Sequence, residues 1–518
     1  MLFNSHVFIF LFLPITLLIF FAIGHHGLQK LAIAWLIVAS LFFYAWWNPV
    51  YLSLLVASIL CNYALGWWLN RKRTKMLLIL GIMANLALLG YYKYANFFLD
   101  NLNYFAATNY PVETILLPLA ISFFTFQQIA YLVDSYHGNT QTYHFLHYGL
   151  FVTFFPQLIA GPIVYHREIF PQITNSTFAR YQPDNLSIGL TIFFAGLFKK
   201  VVLADNIALF ATPVFEAAEQ GTALSLLEAW GGVLAYTFQL YFDFSGYSDM
   251  AVGLARMFGI VLPINFYSPY KSVNIIEFWQ RWHITLSRFL RDYLYIPLGG
   301  NRKSIPRRFS NLILTMFLGG LWHGAGWTFV LWGLLHGIYL VINHFWRLVR
   351  KRLKPKGGIQ KKRILSGWGR MLSISLTFIA VTIAWVLFRA ESLEGAIAVY
   401  KGMLGMNGLV IPNEYLVILG SYSSAIQAWG ITFGEVGLFD TKQLIGLLLL
   451  FAIVWLMPNI YQMMEQFKPV ILTYPNLILQ PSWLRWQPTR RWATAFAVIA
   501  AIAILSLTRI SEFLYFQF

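Results

Sequence analysis

Between positions 7 and 23 the chain reads VFIFLFLPITLLIFFAI, without one charged residue, and runs of this kind recur along its whole length. A bilayer core about 30 Å thick is crossed by about 20 apolar residues of helix. Lipid satisfies no backbone polar group, so such runs must close their hydrogen bonds internally. Further runs at 31–47, 51–69, 76–92, 114–133, 186–198, 201–210, 224–242, 309–322, 327–345, 371–388, 443–456 and 492–507 follow. An irregular one at 145–164 is broken by Pro156 and by Gly161-Pro162. Together they predict about a dozen membrane-embedded helices, several too short to cross alone. Only 11% of the 518 residues are charged and 58% are hydrophobic, against about 25% charged in soluble domains. The mean hydropathy is +0.62. The expected class is an all-α, polytopic membrane protein, and a water-soluble globule is excluded.

Charge then sets orientation. The formal net charge is +17, and much of the basic excess sits in short loops between apolar runs. In a membrane chain that pattern marks cytoplasmic loops and is no nucleic-acid footprint. Arg71, Lys72, Arg73 and Lys75, the stretch 302–308, and RLVRKRLKPKGGIQKKR at 347–363 are therefore expected inside. Counting back three spans places the N-terminus outside, with the first span retained, because no basic residue or small-residue cleavage site flanks it. The linker 93–111 then lies outside. The 347–363 stretch reads as a solvated cytoplasmic loop in preference to a lipid-specific site. The single cysteine, Cys61, excludes an intrachain disulfide framework and a cysteine zinc site. No internal repeat or matched pair of broken helices is evident, which argues against a transporter.

The polar residues of the apolar part concentrate between Tyr241 and Arg308. Each charge at a bilayer centre costs about 2.5–3.5 kcal/mol, so this stretch either lies at the interface or is enclosed by other helices. Helical spacing allows Glu277–Arg281 and Arg288–Asp292 ion pairs, which serve either chemistry or simple charge neutralisation. His283 falls one turn from Trp279 and Ser287, on a face rich in hydrogen-bonding groups. The run 309–345 must enter from the inside and return there, with its turn in GGLWHGAG at 319–326. Fifteen residues of helix from Arg308, about 22 Å of rise, put His323 past the midplane. A neutral imidazole there can accept a proton at neutral pH; the alternative is a bend histidine donating to a carbonyl. His336 and His344 read as packing or interface residues. Metal-ligand spacings, a nucleophile elbow, a P-loop and a dinucleotide fingerprint are all missing from the sequence, so no metal is expected.

The strings LYFDFSGYSDMAVGLARMFGI, NFYSPYKSVNIIEFWQRWHITLSRFLRDYLYIPLGGNR and GGLWHGAGWTFVLWGLLHG, with FFPQLIAGPIVYHREIFPQ and GLFKKVVLADNIA, resemble the membrane-bound O-acyltransferase family. Within it they are similar to the bacterial alginate O-acetyltransferase membrane-subunit branch. The resemblance implies a ring of tilted helices around a central funnel, with residues 1–144 as N-terminal membrane helices and 145–346 as the catalytic core with re-entrant segments. It also implies 347–363 as a basic cytoplasmic loop and 364–518 as C-terminal membrane helices. His323 matches the family's catalytic histidine and His283 its second polar position. No bound cofactor is implied; acetyl-CoA is the donor substrate, and Arg302 and Lys303 are candidates to attract its phosphates. Implied partners are the lipid bilayer, an exported polysaccharide and a periplasmic acetyltransferase, in the cell inner membrane. On this reading His323 acts as general base, while His283 or an amide of Gly319-Gly320 polarises the thioester carbonyl. The competing readings are a transporter or flippase without acyl chemistry, and transfer of D-alanyl or a longer acyl group.

Overall fold

The computed structural model describes residues 1–112, 115–140, 143–353, 367–420, 422–434, 436–472, 474 and 482–508. Most are helical, and six helices are long and apolar enough to cross a bilayer: Phe8–His25, Val50–Arg71, Lys75–Ala106, Pro183–Glu219, Trp327–Arg352 and Gly367–Arg389. Gln29–Ala45 and Thr441–Leu456 are shorter apolar helices. The only named strands among the described residues, Val410–Pro412 and Thr432–Gly434, pair in parallel outside these helices; the all-α expectation stands apart from this short addition.

Several helices run further than hydropathy alone suggests. The segment 93–111, read from sequence as an external linker, is helical as far as Ala106, where Ala107 adopts a left-handed conformation (φ 50°). Five residues of π-helix, Gly90–Tyr94, carry the helix past Lys93. The runs 186–198 and 201–210, separated in sequence by Lys199-Lys200, are one helix, Pro183–Glu219. A π-helical turn, Lys199–Ala204, joins them. Helix Trp327–Arg352 extends through the first residues of the basic stretch 347–363, whose positions 354–363 lie outside the described residues.

The chain forms two compact units. The first comprises Met1–Phe198, Ser245–Asn265 and the described residues from 460 onward. Its spans carry a buried polar seam. Ser58 Oγ donates to Gln128 Oε1 (2.8 Å), Asn85 Nδ2 donates to Asn62 Oδ1 (2.7 Å), and Asn62 Nδ2 also donates to Gln128 Oε1. Hydrogen bonds of this kind join helices where no hydrophobic effect operates between apolar faces.

The second unit comprises Lys199–Phe244 and Phe266–Asn459. Its core is aromatic: Phe278, Trp279, Trp282, Trp332, Trp385 and Phe388 are all buried. Lys200, 2% exposed, lies 2.8 Å from Asp205 and 2.5 Å from Asp243. An unpaired charge would be prohibitive at this depth, so two carboxylates hold the ammonium where hydropathy suggested a break. Asp243 here, and Ser245, Ser248 and Asp249 of the first unit, are each at most 2% exposed, so protein encloses the beginning of the polar stretch, whereas Glu277, Arg281, Arg291 and Asp292 farther along are only partly buried.

Candidate functional site

The site lies within the second unit. Asn274 caps a short helix, Ile275–Trp279, by accepting from the Glu277 amide at 3.1 Å. Glu277 pairs with Arg281 at 2.7 Å, as its spacing predicts, and both are only partly buried. The Tyr267 amide donates to the Arg281 carbonyl at 2.9 Å, tying this segment to its own beginning. A single helix through Asp292 does not form. The chain breaks at His283, whose φ of 40° and ψ of 53° are left-handed, and restarts as Ile284–Leu290. The Asp292 carboxylate lies 2.7 Å from Arg291 Nε.

A left-handed, non-glycine residue is uncommon and costs of order 1 kcal/mol or more, so the surroundings must over-determine it. The Ser287 amide donates to the His283 carbonyl at 3.0 Å. Around the imidazole stand Phe244 at 4.8 Å between ring centroids, Trp322 at 6.1 Å and Phe266 at 6.3 Å. His283 is wholly buried. It belongs to a non-spanning segment, and desolvation lowers its pKa, keeping the ring neutral.

His323 is the last residue of helix Ile305–His323. Gly324 and Gly326 are extended, and Trp327 opens the returning helix, so the predicted turn is confined to three residues. The other glycines serve packing. A Cβ on Gly320 would lie 2.3 Å from the Phe329 carbonyl oxygen, and one on Gly333 would lie 2.4 Å from that of Met316. Their absence lets the two helices touch backbone to backbone. Because Gly319 and Gly320 lie inside the helix, their amides belong to its hydrogen-bond ladder. They do not polarise a bound carbonyl, contrary to the sequence-based expectation.

The structure brings His323 and His283 together, with ring centroids 6.3 Å apart. Trp322, Trp332 and Phe388 surround His323 at 5.0–5.1 Å, leaving it 6% exposed. Two imidazoles thus share an aromatic enclosure in which an electrostatic interaction is far stronger than in water. His336 and His344 are not part of the pair. His336 packs among Trp279, Trp332 and Tyr339, and His344 Nδ1 lies 2.7 Å from Arg308 Nη2. No cluster of three metal-ligating side chains occurs among the described residues.

Arg302 and Lys303 line a separate cavity of about 530 Å³ with Arg291, Tyr295, Gly299, Gly300 and Asn301. Gly299 (φ 109°) and Gly300 (φ 52°) turn the chain sharply before Ile305. The Tyr295 hydroxyl donates to Asn301 at 2.8 Å, and burial raises its pKa. This basic cavity lies at the start of the helix that ends in His323, about 27 Å away by helical rise. Sequence reasoning missed Phe388, Phe244 and Arg291. Phe388 reaches the site from helix Gly367–Arg389, and no local spacing signals so distant a contact.

The model of the membrane-bound O-acyltransferase family, MBOAT, matches residues 112–382. A peptidoglycan O-acetyltransferase of Helicobacter pylori is 47% identical over 444 residues, covering 79% of this chain and 81% of its own. A probable alginate O-acetylase AlgI of Pseudomonas aeruginosa is 37% identical and covers both chains completely. A teichoic acid D-alanyltransferase of Streptococcus thermophilus is 30% identical, covering 53% of this chain and 69% of its own.

Proposed function

Since this chain belongs to the membrane-bound O-acyltransferase family, we propose that it transfers acetyl groups from cytoplasmic acetyl-CoA to the hydroxyls of an exported polysaccharide. Membrane O-acyltransferase activity follows from the family; donor, acceptor and residue roles are our reading. The observation that carries it is the His283–His323 pair at 6.3 Å within one aromatic enclosure.

The chemistry needs little beyond positioning, since a thioester is already activated. His323, neutral, removes the proton of the acceptor hydroxyl as its oxygen attacks the acetyl carbonyl carbon. His283 donates a hydrogen bond to the oxygen on which negative charge develops. The carbon–sulfur bond breaks, the electron pair leaves with CoA sulfur, and the proton on His323 passes to that thiolate. Arg302 and Lys303, in their basic cavity, attract the donor's phosphates to the cytoplasmic side.

On this reading the basic loops face the cytoplasm of a cell whose inner membrane holds the chain, N-terminus outside. A periplasmic acetyltransferase completes delivery to the polymer. The names of the relatives favour peptidoglycan or an alginate-like acceptor. The D-alanyltransferase relative gives a second reading, with D-alanyl as the group carried.

The test is transfer of radiolabelled acetyl from acetyl-CoA into exported polysaccharide by membranes holding the parental chain or His323→Ala. Loss of at least about 100-fold, the low end for a positioned acid–base group, at unchanged membrane abundance supports the assignment. Parental rates in the variant refute it, and labelling by D-alanyl donors alone selects the second reading.

A further inference from the structure

The basic stretch 347–363 begins inside a spanning helix, and its first arginines line a groove with the neighbouring span. Arg347 and Arg350, one turn apart on helix Trp327–Arg352, border a cavity of about 570 Å³ with Ser373, Leu376 and Ala380 of helix Gly367–Arg389. Ile342 and Tyr339 continue its wall toward the membrane interior. Arg347 donates to Asn274 Oδ1 at 3.3 Å, and among the described residues no acidic side chain lines the groove.

We propose that this groove is a binding site for an anionic phospholipid of the inner leaflet. The polarity gradient carries the argument. Two guanidiniums stand at one end, where a planar fork suits a phosphodiester. Two turns further along the same helix, about 12 Å deeper, Ile342, Leu376 and Ala380 make the wall mostly apolar, with Asn343, Thr377 and the Tyr339 hydroxyl as its polar members. Trp346, largely exposed beside Arg347, is the residue type that collects at the headgroup level. A soluble phosphate has no use for the apolar half, whereas a phospholipid fills both, and basic pockets between spans at the cytoplasmic face suit anionic headgroups. A lipid seated here braces helix Trp327–Arg352 at the end opposite the turn that follows His323.

The experiment uses the full chain in vesicles of phosphatidylglycerol and phosphatidylethanolamine, followed by detergent extraction and native mass spectrometry of retained lipid. The parental chain should retain phosphatidylglycerol selectively. Each basic residue near an anionic surface contributes about fivefold, so Arg347→Gln with Arg350→Gln should lower that preference about 25-fold. Arg347→Lys with Arg350→Lys keeps the charge and loses the planar fork, so its preference should fall between those of the parental chain and the glutamine pair, which guards against simple misfolding. Ala380→Trp, filling the apolar half, should also release the lipid. An unchanged preference in the glutamine pair, or none in the parental chain, overturns the proposal. So does displacement of the lipid by adenosine 3′,5′-bisphosphate, which would mark a soluble-phosphate site. Retention is read without enzymatic turnover, so it stands or falls apart from the acyl-transfer reading.

Discussion

Adding one methyl group at Gly320 should disable the enzyme without touching either histidine. The new Cβ would lie 2.3 Å from the Phe329 carbonyl oxygen, 3.0 Å from Gly333 Cα and 3.1 Å from Gly333 nitrogen. All three are backbone atoms and cannot rotate away. Ordinary contact begins at 3.4 Å, so helices Ile305–His323 and Trp327–Arg352 must separate by about 1 Å. Gly320 sits one turn before His323, so the displacement reaches the imidazole nearly undiminished. Misplacement by about 1 Å costs about 100-fold in rate, and the overpacking itself costs about 1–3 kcal/mol of stability. Gly333→Ala should behave alike, its Cβ meeting the Met316 carbonyl oxygen at 2.4 Å. Gly326→Ala is the control: its nearest neighbour is a Phe329 side-chain atom at 3.6 Å, and it should stay within about twofold. The assay is acetyl transfer in membranes, scaled to chain abundance, with the thermal midpoint in detergent recorded alongside. If Gly320→Ala and Gly326→Ala retain equal activity, the close helix contact does not position His323 and the reasoning fails.

Two further outcomes follow from the site. Asparagine tolerates the left-handed region and keeps a side-chain donor, so His283→Asn should hold kcat within about tenfold, whereas His283→Ala should lose about 100–1,000-fold; equal loss in the two variants would mean that His283 supplies shape alone. Arg302→Gln with Lys303→Gln should raise KM for acetyl-CoA about tenfold at constant kcat, since two exposed charges each contribute under about 1 kcal/mol. An unmoved KM would leave these residues only their role in orientation.

The sequence made legible whatever rests on local composition and lost what rests on distant partners. The spans were readable because lipid demands long apolar helices, and the Glu277–Arg281 pair because four residues make one helical turn. His323 was readable as a buried imidazole because basic loops on both sides of 309–345 force a return, and glycines mark the turn. Lys199-Lys200 misled for the opposite reason: two lysines look like a loop until Asp243, more than forty residues away, neutralises one of them. The left-handed backbone at His283 was equally hidden. Propensity continues the helix through EFWQRWHITLSRFL, and the packing of the imidazole among the rings of Phe244, Phe266 and Trp322 overrules it at His283. That conflict is informative in itself. A chain that merely needed helix here would follow its local preference, and a strained residue kept against that preference marks a side chain whose direction matters more than the stability given up. The direction taken brings the ring toward His323, the one other imidazole in its enclosure among the described residues.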